Sequence, residues 1–420
     1  SDTIPSNGWK NKIKRSLLFT YMWVAKFMSR DQDAFFLSTY MSLFDEIKMQ
    51  LRLGQFPQIR RAKPSVKVDI DLVQRQWSVK GNTNSDFEVF LRNIIPKQIP
   101  AIYLEGYRDL MNQIKGLNWP KNPKIIFTSN SHNSDDVFKA WAADRVEKGS
   151  PFVIGQHGGH YGIGLWSFTE DHEIAISTSY LSYGWSESSQ EKVKPVGQLK
   201  PSLGVVNKNL EKKGMLMVTT TLPVKSYRMY SVVVSRQWLD YFDDNCVFVK
   251  NLPESIRGLI TVRLHFQDRE WDQVERWRER FPILHLDKSR SSIAKKMLQS
   301  RIVICTYNAT SILESISMNV PTVIFWNPKQ WEIRGSAQPY FEDLKRVGVF
   351  HETPESAAQF VVTIWDDVES WWASREVREA VNRFKEEYCI VPDDLLDRVE
   401  VALQDAILPS TKLNTNDSID

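Results

Sequence analysis

The segment Ser167–Ser177, SFTEDHEIAIS, sets Glu170, Asp171, His172 and Glu173 side by side. A carboxylate next to an imidazole is a usable general acid/base or nucleophile pair. The same run is also what a solvated charge cluster on a loop looks like. Upstream, the apolar residues Pro151–Ile154 pass into Gly155-Gln156-His157-Gly158-Gly159-His160-Tyr161-Gly162. Glycines there make either a tight turn or a bare backbone that a ligand can approach closely. His157 is the candidate contact with a reacting group, and Gln156, Gly158 and Gly159 are candidate cleft residues.

Two further loops could hold an anion. In CTYNATSILES, Cys305–Ser315, an apolar run ends at Tyr307, and Asn308, Thr310 and Ser311 precede a helix that carries Glu314. Thr310 or Ser311 with Glu314 fits a capping box, while free N–H groups and hydroxyls at a helix start also suit a phosphate. Glu314, one turn along, can reach a ribose hydroxyl. In MVTTTLPVKSYR, Thr219, Thr220 and Thr221 end a strand, with Lys225 and Arg228 close behind. Hydroxyls plus cations suit a phosphate or a sugar carboxylate, or they form a threonine-rich edge with solvated charges. The chain has no HExxH, no CxxC and no GxxxxGK[ST], and GQHGGHYG lacks the GxGxxG spacing. No metal and no cofactor is expected.

The elements that must position these residues read as alternating strands and helices. KIIFTSN is a strand, SDDVFKAWAADRVEKG a helix capped by Ser134, and PFVIGQHGG a strand. After a linker-like stretch, Pro195–Gly214, the pattern restarts with MLMVTTT, then a helix YRMYSVVVSRQWLDYFDDN. The strands LITVRLH, ILHLD, RIVICTY and PTVIFW follow with helices between them. This is the grammar of parallel sheets covered on both faces. The first 120 residues read as mostly helical, with breaks at Gly54-Gln55-Phe56-Pro57 and Gly81-Asn82-Thr83-Asn84, and Pro354 to about Ile407 reads as helical again. Expected domains are 1–205, an acceptor-side α/β domain with a helical extension; 206–385, a nucleotide-sugar domain; 386–408, a helix returning to the first domain; and a disordered tail, 409–420. In such folds ligands sit beyond the carboxyl ends of strands, which adds Asn130, Ser131, Asn133 and His265 to the residues of interest.

At 420 residues the chain exceeds one ordinary core. A net charge of +3 gives no case for a nucleic-acid partner. Three scattered cysteines argue for a reducing, cytoplasmic setting. The apolar run Leu17–Ala25 is too short to span a bilayer. With Lys10, Lys12, Lys14 and Arg15 before it, this run suits either a peripheral contact with an anionic inner membrane or a helix on its own domain.

Four stretches together resemble a family of transferases from bacterial surface-carbohydrate loci, which often also make nonulosonic acids. They are WPKNPKIIFTSNSHNSDDVFKAWAADRVEKGSPFVIGQHGGHYG, TEDHEIAIS, YLSYGW and CTYNATSILESISMNVPTVIFWNPKQWEIR, and the resemblance runs from Ile95 to Tyr388. More distantly, the HG turn paired with a strand-hydroxyl-helix-Glu element resembles two-domain GT-B glycosyltransferases. The retaining β-Kdo transferases, which use CMP-Kdo, and the CDP-glycerol glycerophosphotransferases come nearest. The resemblance implies two Rossmann-like domains facing a cleft, a CMP-sugar donor, and a glycan or lipid-linked glycan acceptor. It implies that Asn308, Thr310, Ser311 and Glu314 hold the nucleotide, and that Thr219–Thr221, Lys225, Arg228 and His265 line the donor phosphate or carboxylate. His157, Glu170, Asp171 and His172 would then face the reacting carbon. The β-Kdo enzymes place an acidic residue in the first domain, where this chain offers Gln156 and His157, which leaves Asp171 or Glu170 as the carboxylate. A polyol-phosphate transferase and a non-catalytic nucleotide- or sugar-binding protein are the alternatives.

Overall fold

The computed structural model describes residues 21, 23–25, 27–83, 85–200, 212–226, 230–289 and 291–408. Arg228, the middle of the expected linker (201–211) and the expected disordered tail (409–420) lie outside the described residues, as do Lys10, Lys12, Lys14 and Arg15. The chain forms two compact units: one runs to Gly155 and takes the chain up again from Leu403, and the other is Gln156–Ala402. The expected boundary at 205 therefore falls inside the second unit.

In the first unit, β1 (Phe35–Phe36), β2 (Ile126–Thr128) and β3 (Phe152–Gly155) pair in parallel, with Phe35 opposite Ile126 and Ile126 opposite Phe152. All three are fully buried apolar runs, as a parallel sheet covered on both faces requires. The helices are α1 (Leu43–Arg52), α2 (Asp86–Gln98), α3 (Tyr107–Lys115) and α4 (Asp136–Glu147). Asp135, not Ser134, caps α4, accepting from Phe138 N–H at 2.9 Å, because Ser131–Ser134 closes a helical turn of its own. The helical expectation fails between Gln58 and Lys80, which is irregular. That stretch is pinned by buried Arg75, which donates to Glu105 at 2.6 and 2.8 Å and to the carbonyls of Pro96, Lys97 and Ile99.

The second unit holds the parallel pair β4 (Ser179–Ser182) and β5 (Val193–Pro195), preceded by α5 (Phe168–Ile176). It also holds a six-stranded parallel sheet made of β6 (Met215–Val218), β7 (Ile260–Arg263), β8 (His285–Asp287), β9 (Ile302–Cys305), β10 (Thr322–Phe325) and β11 (Phe350–His351). Their spatial order is β8-β7-β6-β9-β10-β11. Numbered within the sheet this is 3-2-1-4-5-6, the doubly wound order whose switch point lies between the first and fourth strands. The central strands MLMV, IVIC and TVIF are wholly buried, whereas outer β7 alternates, which is the pattern burial on two faces demands. The helix expected from Tyr227 begins only at Gln237 and runs to Lys250 (α6). Ahead of it, Tyr230 bridges Ser167, Ser231 N–H donates to Trp166, Val232 N–H turns back to Tyr230 O, and Ser235 is left-handed (φ 48°), so the Val232–Val234 run is not helical. α7 (Thr310–Ser317) follows β9, and α8 (Pro354–Ile364) follows β11. The alternation read from the sequence is that of this α/β fold.

Candidate active site

At the switch point, the loops after β6 and β9 meet through one tyrosine. Tyr241, on α6, accepts from Thr220 N–H at 2.9 Å and lies 2.6 Å from Thr306 Oγ1, which itself donates to Val218 O. Thr219 and Thr221 hydroxyls donate to Arg263 O (3.1 Å) and Gln267 O (2.7 Å), and Thr221 lies 3.2 Å from His265 Nδ1. Burial lowers the His265 pKa, so its imidazole favours the neutral form. Lys225 is exposed and has no ion-pair partner among the described residues. Asn308 is buried, and its Oδ1 has no hydrogen-bond partner among the described residues; Trp331, whose ring packs on Tyr307 and Tyr241, likewise has a buried Nε1 with none among them. A buried acceptor and a buried donor without partners, at the crevice this topology reserves for ligands, fit a polar ligand.

The capping box is not built. Ala309, fully extended, is the cap residue of α7, no side chain caps it, and Glu314 is ion-paired with Lys200. Gly159 comes onto this helix start instead. A Cβ on Gly159 would lie 2.2 Å from Thr310 N and 2.3 Å from Ala309 C, so only glycine allows backbone to meet backbone there. The other glycines of the turn are bare for the same kind of reason. Gly158 abuts the Tyr161 ring, and Gly162 (φ 73°) abuts Trp185. The space a side chain would fill is taken by protein, not left for a ligand. Gln156, fully buried, accepts from Tyr183 N–H and Trp185 Nε1–H, both 2.9 Å, and donates to Gly158 O at 2.8 Å, which spends it on shaping the turn.

The turn delivers His157 to a carboxylate. His157 Nδ1 is 3.7 Å from Glu173 Oε1, with the His157 side chain 20% exposed and that of Glu173 1% exposed. Tyr161 donates to the same Oε1 at 3.2 Å and lies 3.3 Å from His157 Nε2. Burial pushes the Glu173 carboxyl up to about 7, held back by the charge of His157 and the Tyr161 hydrogen bond. A carboxyl poised near neutrality beside a part-exposed imidazole is a proton-transfer pair.

α5 sorts the TEDHE residues by face. Glu170 and Glu173, three apart, point inward, while Asp171 and His172 are exposed. Glu170 is held on both oxygens. Gly162 N–H donates to Oε2 and Arg334 Nη2 to Oε1, both 2.7 Å, and Arg334 also binds Gly164 O. Glu170 thus clamps the turn to the loop after β10 through both of its oxygens. Asp171 opens with Glu187, Lys192 and Arg334 onto a cleft of about 400 Å3. Asn130, Ser131 and Asn133 lie in the first unit, past β2; Asn130 donates to Tyr40, Ser131 is buried, and Asn133 is exposed. Of the expected site residues the structure therefore brings His157 to Glu173, and Gly159 to Thr310. Sequence reading names Glu173 in the charged run but chooses Asp171 or Glu170 as the carboxylate, and it gives no role to Tyr161, Tyr241, Trp331 or Arg334. Glu173 could have been found from helical spacing, since Glu170, Glu173 and Ile174 share one face. Among the described residues no group of three or more His, Cys, Asp or Glu could hold a metal, and no helix is long and apolar enough to cross a membrane.

A family model described as LIC12162 family transferase matches residues 3–402. No curated protein matches. Among solved structures, a putative UDP-N-acetylglucosamine 2-epimerase from Listeria monocytogenes is similar at 13% identity over 88% of this chain and 94% of its own, TM-score 0.49. Acinetobacter baumannii MurG is similar at 11% over 88% and 90%, TM-score 0.40. TarM is similar at 12% over 66% of this chain, TM-score 0.42, and the chain spans 54% of TarM's length.

Proposed function

Since the chain belongs to the LIC12162 family of transferases, we propose that the group it moves is a sugar. It would act as a metal-independent glycosyltransferase, taking a 3-deoxy-ulosonic acid, Kdo-like or nonulosonate, from a CMP-activated donor to a bacterial surface glycan. One observation carries the reading: the Gly159 contact with Ala309 and Thr310 sets the part-exposed His157, paired with buried Glu173, beside the switch-point loops. The nucleotide is assigned to the crevice past β6 and β9, with Thr220, Asn308 and Trp331 offering polar groups and Lys225 a charge.

The acceptor hydroxyl attacks the anomeric carbon, whose bond to the phosphate oxygen breaks, and CMP leaves with the electron pair. His157 takes the hydroxyl proton, and Glu173 offsets the charge of the resulting imidazolium. Arg334 and Glu170 are positioning residues that hold the turn. The acceptor, glycan or lipid-linked glycan, would be met at the cytoplasmic face of the membrane.

A nucleotide panel tests the donor. CMP should raise the melting temperature above UDP and GDP, with or without EDTA, and CMP-Kdo or a CMP-nonulosonate should be consumed. Stabilisation by UDP or GDP alone would sink the cytidine assignment. Stabilisation by CDP with turnover of CDP-glycerol would replace the sugar with a polyol phosphate. His157→Ala should lose transfer and keep CMP binding; full transfer in that variant removes the pair from the mechanism.

A further inference from the structure

The first unit carries a cavity of about 370 Å3 that no part of the proposed transfer uses. Three of its ten lining residues are cations, Arg60, Arg61 and Lys63, and none is an acid. It lies at the amino-terminal ends of β1 and β2. The Arg60 guanidinium sits 4.7 Å over the Phe35 ring, and Trp119, also in the lining, has its ring 4.7 Å from Phe35. This is the opposite end of that sheet from Ser129–Ser131, which follow β2.

Arg60 is the anomaly. Both of its Nη atoms are buried and neither has a hydrogen-bond partner among the described residues. Two acids, Asp33 and Glu46, are near enough to act on it. Their hydrogen bonds go elsewhere: Asp33 Oδ2 accepts from Arg30 N–H at 2.9 Å, and Glu46 Oε2 from the Thr39 hydroxyl at 2.9 Å. Arg61 and Lys63 are exposed and form no ion pair among the described residues. A buried polar group without a hydrogen-bond partner is costly, and clustered like charges repel, so an anion that bonds Arg60 and offsets Arg61 and Lys63 stabilises the arrangement.

We propose that this cavity is a phosphate-binding site, in which a phosphate ester neutralises Arg60, Arg61 and Lys63 and the group it carries lies against Trp119. Guanidinium forks match phosphate oxygens in pairs, and three cations around one cavity suit a phosphate better than a single carboxylate. The volume leaves room for a phosphate with a small attached group. The phosphate can come from a soluble phosphorylated metabolite or from a lipid headgroup, and the two are separable by experiment.

Full-length protein is titrated with inorganic phosphate by calorimetry. It is also spun with phosphatidylcholine vesicles, either plain or containing phosphatidic acid. Arg61→Gln/Lys63→Gln changes two exposed side chains and should leave folding intact, which an unchanged denaturant-unfolding curve reports independently. The native protein should bind phosphate, and the double variant should weaken it at least about tenfold. Phosphate binding without vesicle binding assigns a soluble ligand. Selective sedimentation with phosphatidic-acid vesicles, lost in the double variant and reversed by free phosphate, assigns a headgroup. If the native protein binds neither probe, or the double variant binds both as tightly as the native chain, the site does not exist.

Discussion

Replacing Glu173 by Gln keeps its size and removes its charge, and the structure predicts what that does to stability as pH changes. Burial raises the folded carboxyl to about 7 from 4.5 for the free group, a difference that corresponds to about 3 kcal/mol. Its pKa is raised on folding, so the fold binds the proton more tightly than the unfolded chain does. The native protein thus holds this stability fully below pH 4.5 and loses it as pH rises through 7. Glu173→Gln stays neutral throughout. Denaturant unfolding at pH 5 and pH 8 should show the variant gaining about 2.5 kcal/mol relative to the native chain between the two conditions. His157 is 3.7 Å away and coupled to it, so the same pair of melts on His157→Gln and on the double variant isolates the shared term. Equal pH slopes for native and Glu173→Gln proteins would show that the carboxyl titrates normally, and the proton-transfer reading would go with it. Transfer activity should fall in the same variant at pH 8 as well.

Asp171→Asn, on the exposed face of α5, should keep transfer within about twofold, whereas His157→Ala should cost roughly 10²–10⁴-fold in turnover; the reverse ranking would return the chemistry to Asp171. Gly159→Ala must push backbone away from Ala309 and Thr310, and should destabilise by about 2–3 kcal/mol and depress turnover, read by unfolding and by initial rates. Arg334→Ala leaves the Glu170 carboxylate, 3% exposed, without its cation and should cost about 3–5 kcal/mol by denaturant unfolding; Arg334→Ala/Glu170→Gln should recover part of it. A cost under 1 kcal/mol would mean the clamp is not formed in solution.

The strands were legible because each is a short apolar run bounded by polar loops, and a parallel sheet asks for little else. What the sequence does not reveal is which loop residues face inward. Gln156 looks like a ligand contact in sequence, and becomes a turn-former only when Tyr183 and Trp185 arrive to meet its amide. The TEDHE run was visible, but its useful carboxylate was chosen by the helix face. That choice depends on α5 lying with Glu170 and Glu173 toward the core. Thr310 and Ser311 carry every local mark of a cap, yet Gly159 meets the helix start, a contact between residues roughly 150 apart that no local rule encodes. Arg334 is further still from Glu170, and only the fold puts them together.

That last separation matters during synthesis. Glu170 and Arg334 are 164 positions apart, and at about 5–20 residues per second the arginine leaves the ribosome roughly 8–30 s after the glutamate. For that interval the turn bearing His157 lacks its clamp, and an ionised Glu170 cannot be buried cheaply. The nascent chain can close β1–β3 early, but the turn bearing His157 must wait until β10 and the loop beyond it have been made. Anything that shortens the chain before residue 334 would leave His157 on an untethered loop, so truncated products should be inert and prone to capture by chaperones.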